Sequence, residues 1–153
     1  MKVWIMRHGD APYIDGERQL SESGKQDVAQ MSQRLAEILK LQELELELML
    51  ASPYLRAQQT ADIVEQELMN AKVRPFLREQ EPLLRSESDP AMTASYVEAL
   101  PQSTILLVSH MPLVANLLAS WLPHQGRYFP TSAIAELDFA DGKPNLSSFY
   151  EPQ

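Results

Sequence analysis

The chain has 153 residues, 44% of them hydrophobic, and its 13 Lys plus Arg against 21 Asp plus Glu leave a formal net charge of −8. This size and balance predict one globular domain over residues 1–153, and the acidity argues against nucleic acid or an anionic membrane as partner unless a local basic patch exists. The absence of cysteine excludes disulfides, thiolate metal sites and a cysteine nucleophile. The opening apolar run reaches Arg7 and His8 too soon for a signal peptide, and no later run approaches the roughly 20 residues that span a bilayer. A cytoplasmic location is therefore expected.

In chain order, Val3-Trp4-Ile5-Met6 reads as a short buried strand that stops at Arg7-His8-Gly9-Asp10. Residues 10–20 read as loop. Ser21 is a good helix cap, and Val28, Met31, Leu35, Ile38 and Leu39 recur at helical spacing to about residue 40. Leu44 to Leu48 alternates as a half-exposed strand and runs on into Leu48-Met49-Leu50-Ala51. Ser52-Pro53 predicts a helix start, with Arg56 in or just beyond the first turn and Leu55, Ala61, Val64 and Leu68 on the apolar face.

Val73 to Leu77 reads as a short strand, residues 79–89 as a charged loop and Pro90 to Leu100 as a helix. Thr104 to Val108 is the clearest buried strand, followed by Ser109-His110-Met111-Pro112 and a helix through Leu113, Leu117 and Trp121. Asp141-Gly142 between two extended segments is a hairpin signal, placing an antiparallel edge at the end of the chain. The alternation predicts a three-layer α/β/α sandwich with a mainly parallel central sheet and an antiparallel edge strand.

In such sheets ligands bind beyond the carboxyl ends of the strands. Three of those ends supply Arg7 and His8, then Ser52-Pro53 leading to Arg56, then Ser109 and His110. Two arginines, two histidines and two helix N-termini suit a phosphoryl group, because a guanidinium can hold two phosphate oxygens and imidazole serves as nucleophile or donor near neutral pH. A Ser109-His110 hydrolase lacks the G-x-S-x-G elbow, and His8, Asp10 and His110 lack metal-ligand spacing while standing beside arginines. His124 reads as an exposed loop residue.

Met6-Arg7-His8-Gly9, Ser52-Pro53 with Arg56, and Ser109-His110, in that order, resemble the histidine phosphatase (phosphoglycerate mutase-like) superfamily. Arg18, Ser52-Pro53-Tyr54-Leu55-Arg56-Ala57 and Thr131-Ser132-Ala133-Ile134-Ala135 narrow the resemblance to SixA-type phosphohistidine phosphatases. It implies that His8 attacks phosphorus, that Arg7, Arg56 and His110 hold the phosphoryl oxygens without metal or other cofactor, and that Arg18 and Met111 join the phosphate-binding set. The implied partner is a histidine-phosphorylated signalling or phosphotransfer protein, met by a monomer.

Many members carry a Glu that protonates the leaving oxygen, whereas the aligned position here is Leu83, with Glu81 and Glu87 nearby. A missing acid favours phosphohistidine, whose imidazole leaves as a neutral base, over a phosphomonoester. A small-molecule phosphomonoesterase or mutase and a non-catalytic phosphoprotein-binding module stay open. Arg7, Arg18, Arg56 and Arg127 are expected to form a basic mouth on the acidic body.

Overall fold

A computed structural model describes residues 1–153. The strands are β1 (Lys2–Arg7), β2 (Tyr13–Ile14), β3 (Glu17–Arg18), β4 (Leu48–Ala51), β5 (Leu77–Gln80), β6 (Thr104–Ser109), β7 (Ile134–Ala140) and β8 (Lys143–Tyr150). The helices are α1 (Glu22–Leu41), α2 (Leu55–Asn70), α3 (Pro90–Glu98) and α4 (Leu113–Trp121). Six strands form one sheet in the order β5-β4-β6-β1-β7-β8. β5, β4, β6 and β1 are parallel, while β7 runs antiparallel to β1 and β8 antiparallel to β7. The antiparallel edge thus comprises two strands. No helix is long and apolar enough to cross a membrane.

The sheet is covered on both faces, and the period-2 alternation of its central strands divides their side chains between two cores. Val3, Ile5, Leu48, Leu50, Ile105 and Leu107 join residues of α3 and α4, including Val97, Leu113, Leu117 and Trp121. Trp4, Met6, Met49, Ala51, Leu106 and Val108 join residues of α1 and α2, including Val28, Leu35, Ala61 and Leu68. Burying an aliphatic side chain of this size stabilises a fold by roughly 1.5–3 kcal/mol, so the central strands anchor both layers.

Three elements depart from the sequence reading. Residues 44–47 do not form a strand: Leu46 is buried, but ladder pairing with β6 begins only at Leu48. The strand expected at 73–77 lies instead at β5, where an exposed edge segment pairs by backbone alone while Val73 and Phe76 pack against the α1/α2 core. Helix α2 starts at Leu55 after an N-cap at Tyr54, two residues later than Ser52-Pro53 suggests. The 10–20 loop also contains a small ribbon, β2 paired with β3 across Asp15-Gly16, both at positive φ.

Candidate active site

The carboxyl ends of β1, β4 and β6 lie side by side because these strands are neighbours in the sheet, with Arg7 in register with Ser109 and Ala51 with Val108. The chain beyond β1 is held on every side. The His8 N–H donates to the Ser109 carbonyl at 3.0 Å, and the Ser132 N–H donates to the carbonyls of Arg7 and His8 at 3.1 and 3.0 Å. The Gly9 N–H donates to Thr60 Oγ1 of α2 at 3.1 Å, and Thr60 Oγ1 donates to the Arg56 carbonyl at 2.8 Å. Gly9 is required by close approach: a Cβ there would stand 2.7 Å from Val28 Cγ2 and 3.0 Å from the Gly24 carbonyl.

His8 is 2% exposed. Its Nδ1 lies 2.7 Å from the Gly9 carbonyl oxygen, and because a carbonyl can only accept, Nδ1 carries the proton and Nε2 keeps its lone pair. Burial pushes the imidazole down to about 4; the Gly9 hydrogen bond opposes this, and the Arg56, Arg7 and Arg18 charges add to it. His8 is therefore neutral near pH 7. His110, with ring centroid 5.0 Å from that of His8, is pushed down to about 3 by burial first, then by His8, Arg56 and Arg18. Its Nε2 lies 2.7 Å from Ser52 Oγ, and its Nδ1 is buried without a partner.

The arginines surround these rings. Arg7 Nη1 donates to the Tyr128 hydroxyl at 3.0 Å and the Phe129 carbonyl at 2.8 Å, which leaves its buried Nε unpartnered. Arg18 reaches in from the ribbon, its Nε donating to the Ala11 carbonyl at 2.9 Å. Arg56, in the first turn of α2, also has a buried Nε without a partner. Burial and then the Arg18 charge lower its pKa.

The helices divide in the same way. α1 and α3 are capped by the side chains of Ser21 and Asp89, whereas α2 and α4, which follow β4 and β6, carry no side-chain cap. Their free N–H groups and positive dipole ends add to an anion-binding site. A groove lined by Tyr13, Gly16, Glu17, Tyr54 and Leu55 shares Arg18 and Arg56 with it.

The sequence profile of the histidine phosphatase superfamily (branch 1) matches residues 3–82, slightly more than half the chain and including Arg7, His8, Arg18 and Arg56. The chain belongs to the histidine phosphatase superfamily. The chain is 36% identical over 144 residues to phosphohistidine phosphatase SixA of Escherichia coli (strain K12), covering 90% of the chain and 84% of that protein. Its fold matches the structure of the protein histidine phosphatase SixA complexed with tungstate, with a TM-score of 0.84 and 33% identity over 99% of this chain and 97% of the other. A putative phosphohistidine phosphatase SixA from Agrobacterium tumefaciens, at 21% identity, shares the fold with a TM-score of 0.80 over 99% and 97% of the two chains.

The fold brings Arg7, His8, Arg18, Arg56 and His110 together: the two rings are in contact and the charges of the three arginines act on His8. Other expected residues take different places. Ser109 turns away, its Oγ donating to the Leu84 carbonyl at 2.6 Å. Met111 is half-buried against the α3/α4 core, so what it offers an anion is its backbone. Arg127 lies over the Phe149 ring, 3.7 Å from the centroid, and does not number among the charges acting on His8.

Neither nearby carboxylate is free. Glu81 accepts from the Leu83 N–H at 2.9 Å in the 3-10 turn Pro82–Leu84. Glu87 accepts from the Tyr54 hydroxyl at 2.6 Å and from Ser86 Oγ at 2.9 Å, and these bonds, Tyr54 first, hold it down to about 2. Ser52 and Thr60 escaped the sequence reading as site residues. Ser52 reads as a helix cap, and the signal for Thr60, its place four residues after Arg56, is faint.

Proposed function

We propose that this chain is a metal-independent phosphohistidine phosphatase, which removes phosphoryl groups from a histidine-phosphorylated signalling or phosphotransfer protein through a phospho-His8 intermediate, with residues 1–153 acting as one domain. The observation that carries this reading is the buried, neutral His8 whose Nε2 lone pair is left free among three guanidinium groups. Its Nε2 attacks phosphorus in line. A P–N bond forms to His8 as the P–N bond to the substrate imidazole breaks, and the electron pair stays with the departing nitrogen. Water then attacks phospho-His8 and returns the free imidazole and inorganic phosphate.

Arg7 and Arg56 present their unpartnered Nε groups to the phosphoryl oxygens, Arg18 adds positive potential at the mouth, and Met111 contributes its backbone N–H. In our reading the Ser52 hydroxyl accepts from the Tyr54 N–H, 3.3 Å away, and donates to His110 Nε2. His110 then holds its proton on the unpartnered Nδ1, as a donor to the same phosphoryl group. No group of three or more His, Cys, Asp or Glu side chains is placed to hold a metal ion, and the three arginines would repel a cation.

Phosphohistidine, rather than a phosphomonoester, is supported by the carboxylates. An alkoxide needs a proton on departure, yet Glu87 is ionised and both its oxygens already accept hydrogen bonds, while Glu81 is committed to a turn. A phosphohistidine ring protonates on its other nitrogen near neutral pH and leaves as neutral imidazole. The test is phosphate release from a histidine-phosphorylated phosphotransfer protein in the presence of a chelator. Wild type is expected to release phosphate and His8→Ala to fall to background; release that needs added metal, or that survives His8→Ala, would overturn the reading.

A further inference from the structure

Arg56 supplies one arm of the anion grip, yet its buried Nε has no protein partner. The contact its guanidinium does make is with an aromatic face, 5.1 Å from the centroid of the Tyr54 ring. The same ring packs against His110 with centroids 5.1 Å apart. One half-buried aromatic residue therefore supports two groups of the phosphate site. Tyr54 is itself the N-cap of α2 and caps nothing with its side chain, so its hydroxyl is free to bond elsewhere.

That hydroxyl donates to Glu87 Oε1 at 2.6 Å across 33 residues of sequence, a charge-assisted bond in the short range of its class. The other carboxylate oxygen accepts from Ser86 Oγ at 2.9 Å, and Arg85 Nε stands 3.9 Å from Oε1. Glu87 lies in the loop between the 3-10 turn and α3, so this bond spans the site from the loop after β5 to the start of α2. Together the contacts form a chain from Glu87 through Tyr54 to Arg56 and His110.

We infer that Tyr54 and Glu87 are positioning residues for the proposed phosphohistidine hydrolysis: their hydrogen bond straps the Tyr54 ring in place, and the ring sets Arg56 and His110 to grip the phosphoryl group. The inference rests on the proposed function for its substrate but not for its anion site. The strap acts through geometry, so a neutral acceptor that keeps the bond should largely keep the effect. Glu87→Gln retains an oxygen able to accept from Tyr54; Glu87→Ala removes it; Tyr54→Phe keeps the ring and removes the donor.

The experiment measures tungstate affinity by calorimetry and kcat/KM for phosphate release from a histidine-phosphorylated phosphotransfer protein, with thermal unfolding as the check on folding. Loss of a charge-assisted bond of this kind predicts about tenfold weaker tungstate binding and a similar fall in kcat/KM for Tyr54→Phe and for Glu87→Ala. Their double variant should be no worse than either alone, Glu87→Gln should stay within about threefold of wild type, and the unfolding midpoints should be unchanged.

Additive losses in the double variant, Glu87→Gln as impaired as Glu87→Ala, or all variants within about twofold of wild type would overturn the strap. If wild type binds tungstate but releases no phosphate from the phosphoprotein, the proposed substrate fails while the tungstate series still decides the strap.

Discussion

His8 and His110 sit side by side with both imidazoles pushed far below the ordinary value near 6.5, to about 4 and about 3, chiefly by burial. For a nucleophile this keeps the lone pair available throughout the neutral range. It also sets a sign for stability. Between the folded and unfolded pKa values the unfolded chain binds more protons than the native one, so stability rises with pH. The histidine contribution is therefore complete above about pH 6.5 and is lost as pH falls through about 4. Urea midpoints measured from pH 7 to pH 4.5 should fall for wild type and fall less steeply for His8→Asn, and the His8 ring resonances should show no titration between pH 7 and 5.5. A ring that titrates near 6.5 would contradict the buried neutral state.

At the level of elements, the site depends on how α2 and α1 press on the turn after β1. The Gly9 N–H is buried and its partner is Thr60 Oγ1, one turn along α2 from Arg56. Thr60→Val keeps the shape and leaves that N–H unpaired, which predicts a loss of about 1–3 kcal/mol in urea unfolding together with reduced phosphate release, because His8 follows Gly9. The sequence pattern reveals such elements wherever burial imposes a period: β1, α1, β6, α4 and the β7–β8 hairpin lie where spacing places them. It fails at β5, whose exposed Leu77-Arg78-Glu79-Gln80 carries no apolar period because only its backbone pairs with β4. It also misplaces the start of α2, since the Ser52 hydroxyl that marks a cap is engaged instead by His110 and the Tyr54 N–H.

Across the whole molecule, the two ends of the sheet do different work. The candidate site lies beyond the carboxyl ends of β1, β4 and β6, whereas the region of Lys2 and Trp4 encloses Glu136 of β7, 2% exposed. Trp4 Nε1 donates to it at 3.0 Å and Ser147 Oγ at 2.9 Å, with Gln42 and Lys2 Nζ at 3.3 and 3.4 Å. Burial would raise this carboxyl, but these donors and the Lys2 charge outweigh it and hold the group ionised. Removing it leaves the buried Trp4 Nε1 without a partner and takes the acceptor from the part-buried Ser147, Gln42 and Lys2 donors. Glu136→Ala should cost about 2–4 kcal/mol of stability while kcat/KM stays within twofold of wild type, measured by urea unfolding and phosphate release under conditions where the variant is folded. A large fall in kcat/KM would show that this end of the sheet is coupled to the site.

The sequence by itself determined most of the alternation of strands and helices, the arrival of Arg7, His8 and His110 at strand ends, and the place of Arg56 at the start of a helix. Each of these follows from residue spacing and burial along a single element. Only the tertiary structure decided that the Gly9 carbonyl selects the His8 tautomer, that Ser52 faces His110, that Arg127 rests on Phe149, and that Glu81 and Glu87 are already engaged. Most of these depend on groups brought together by sheet order and loop path across tens of residues, for example 58 between Ser52 and His110. A hydrogen bond formed at that separation leaves no periodic trace in the chain.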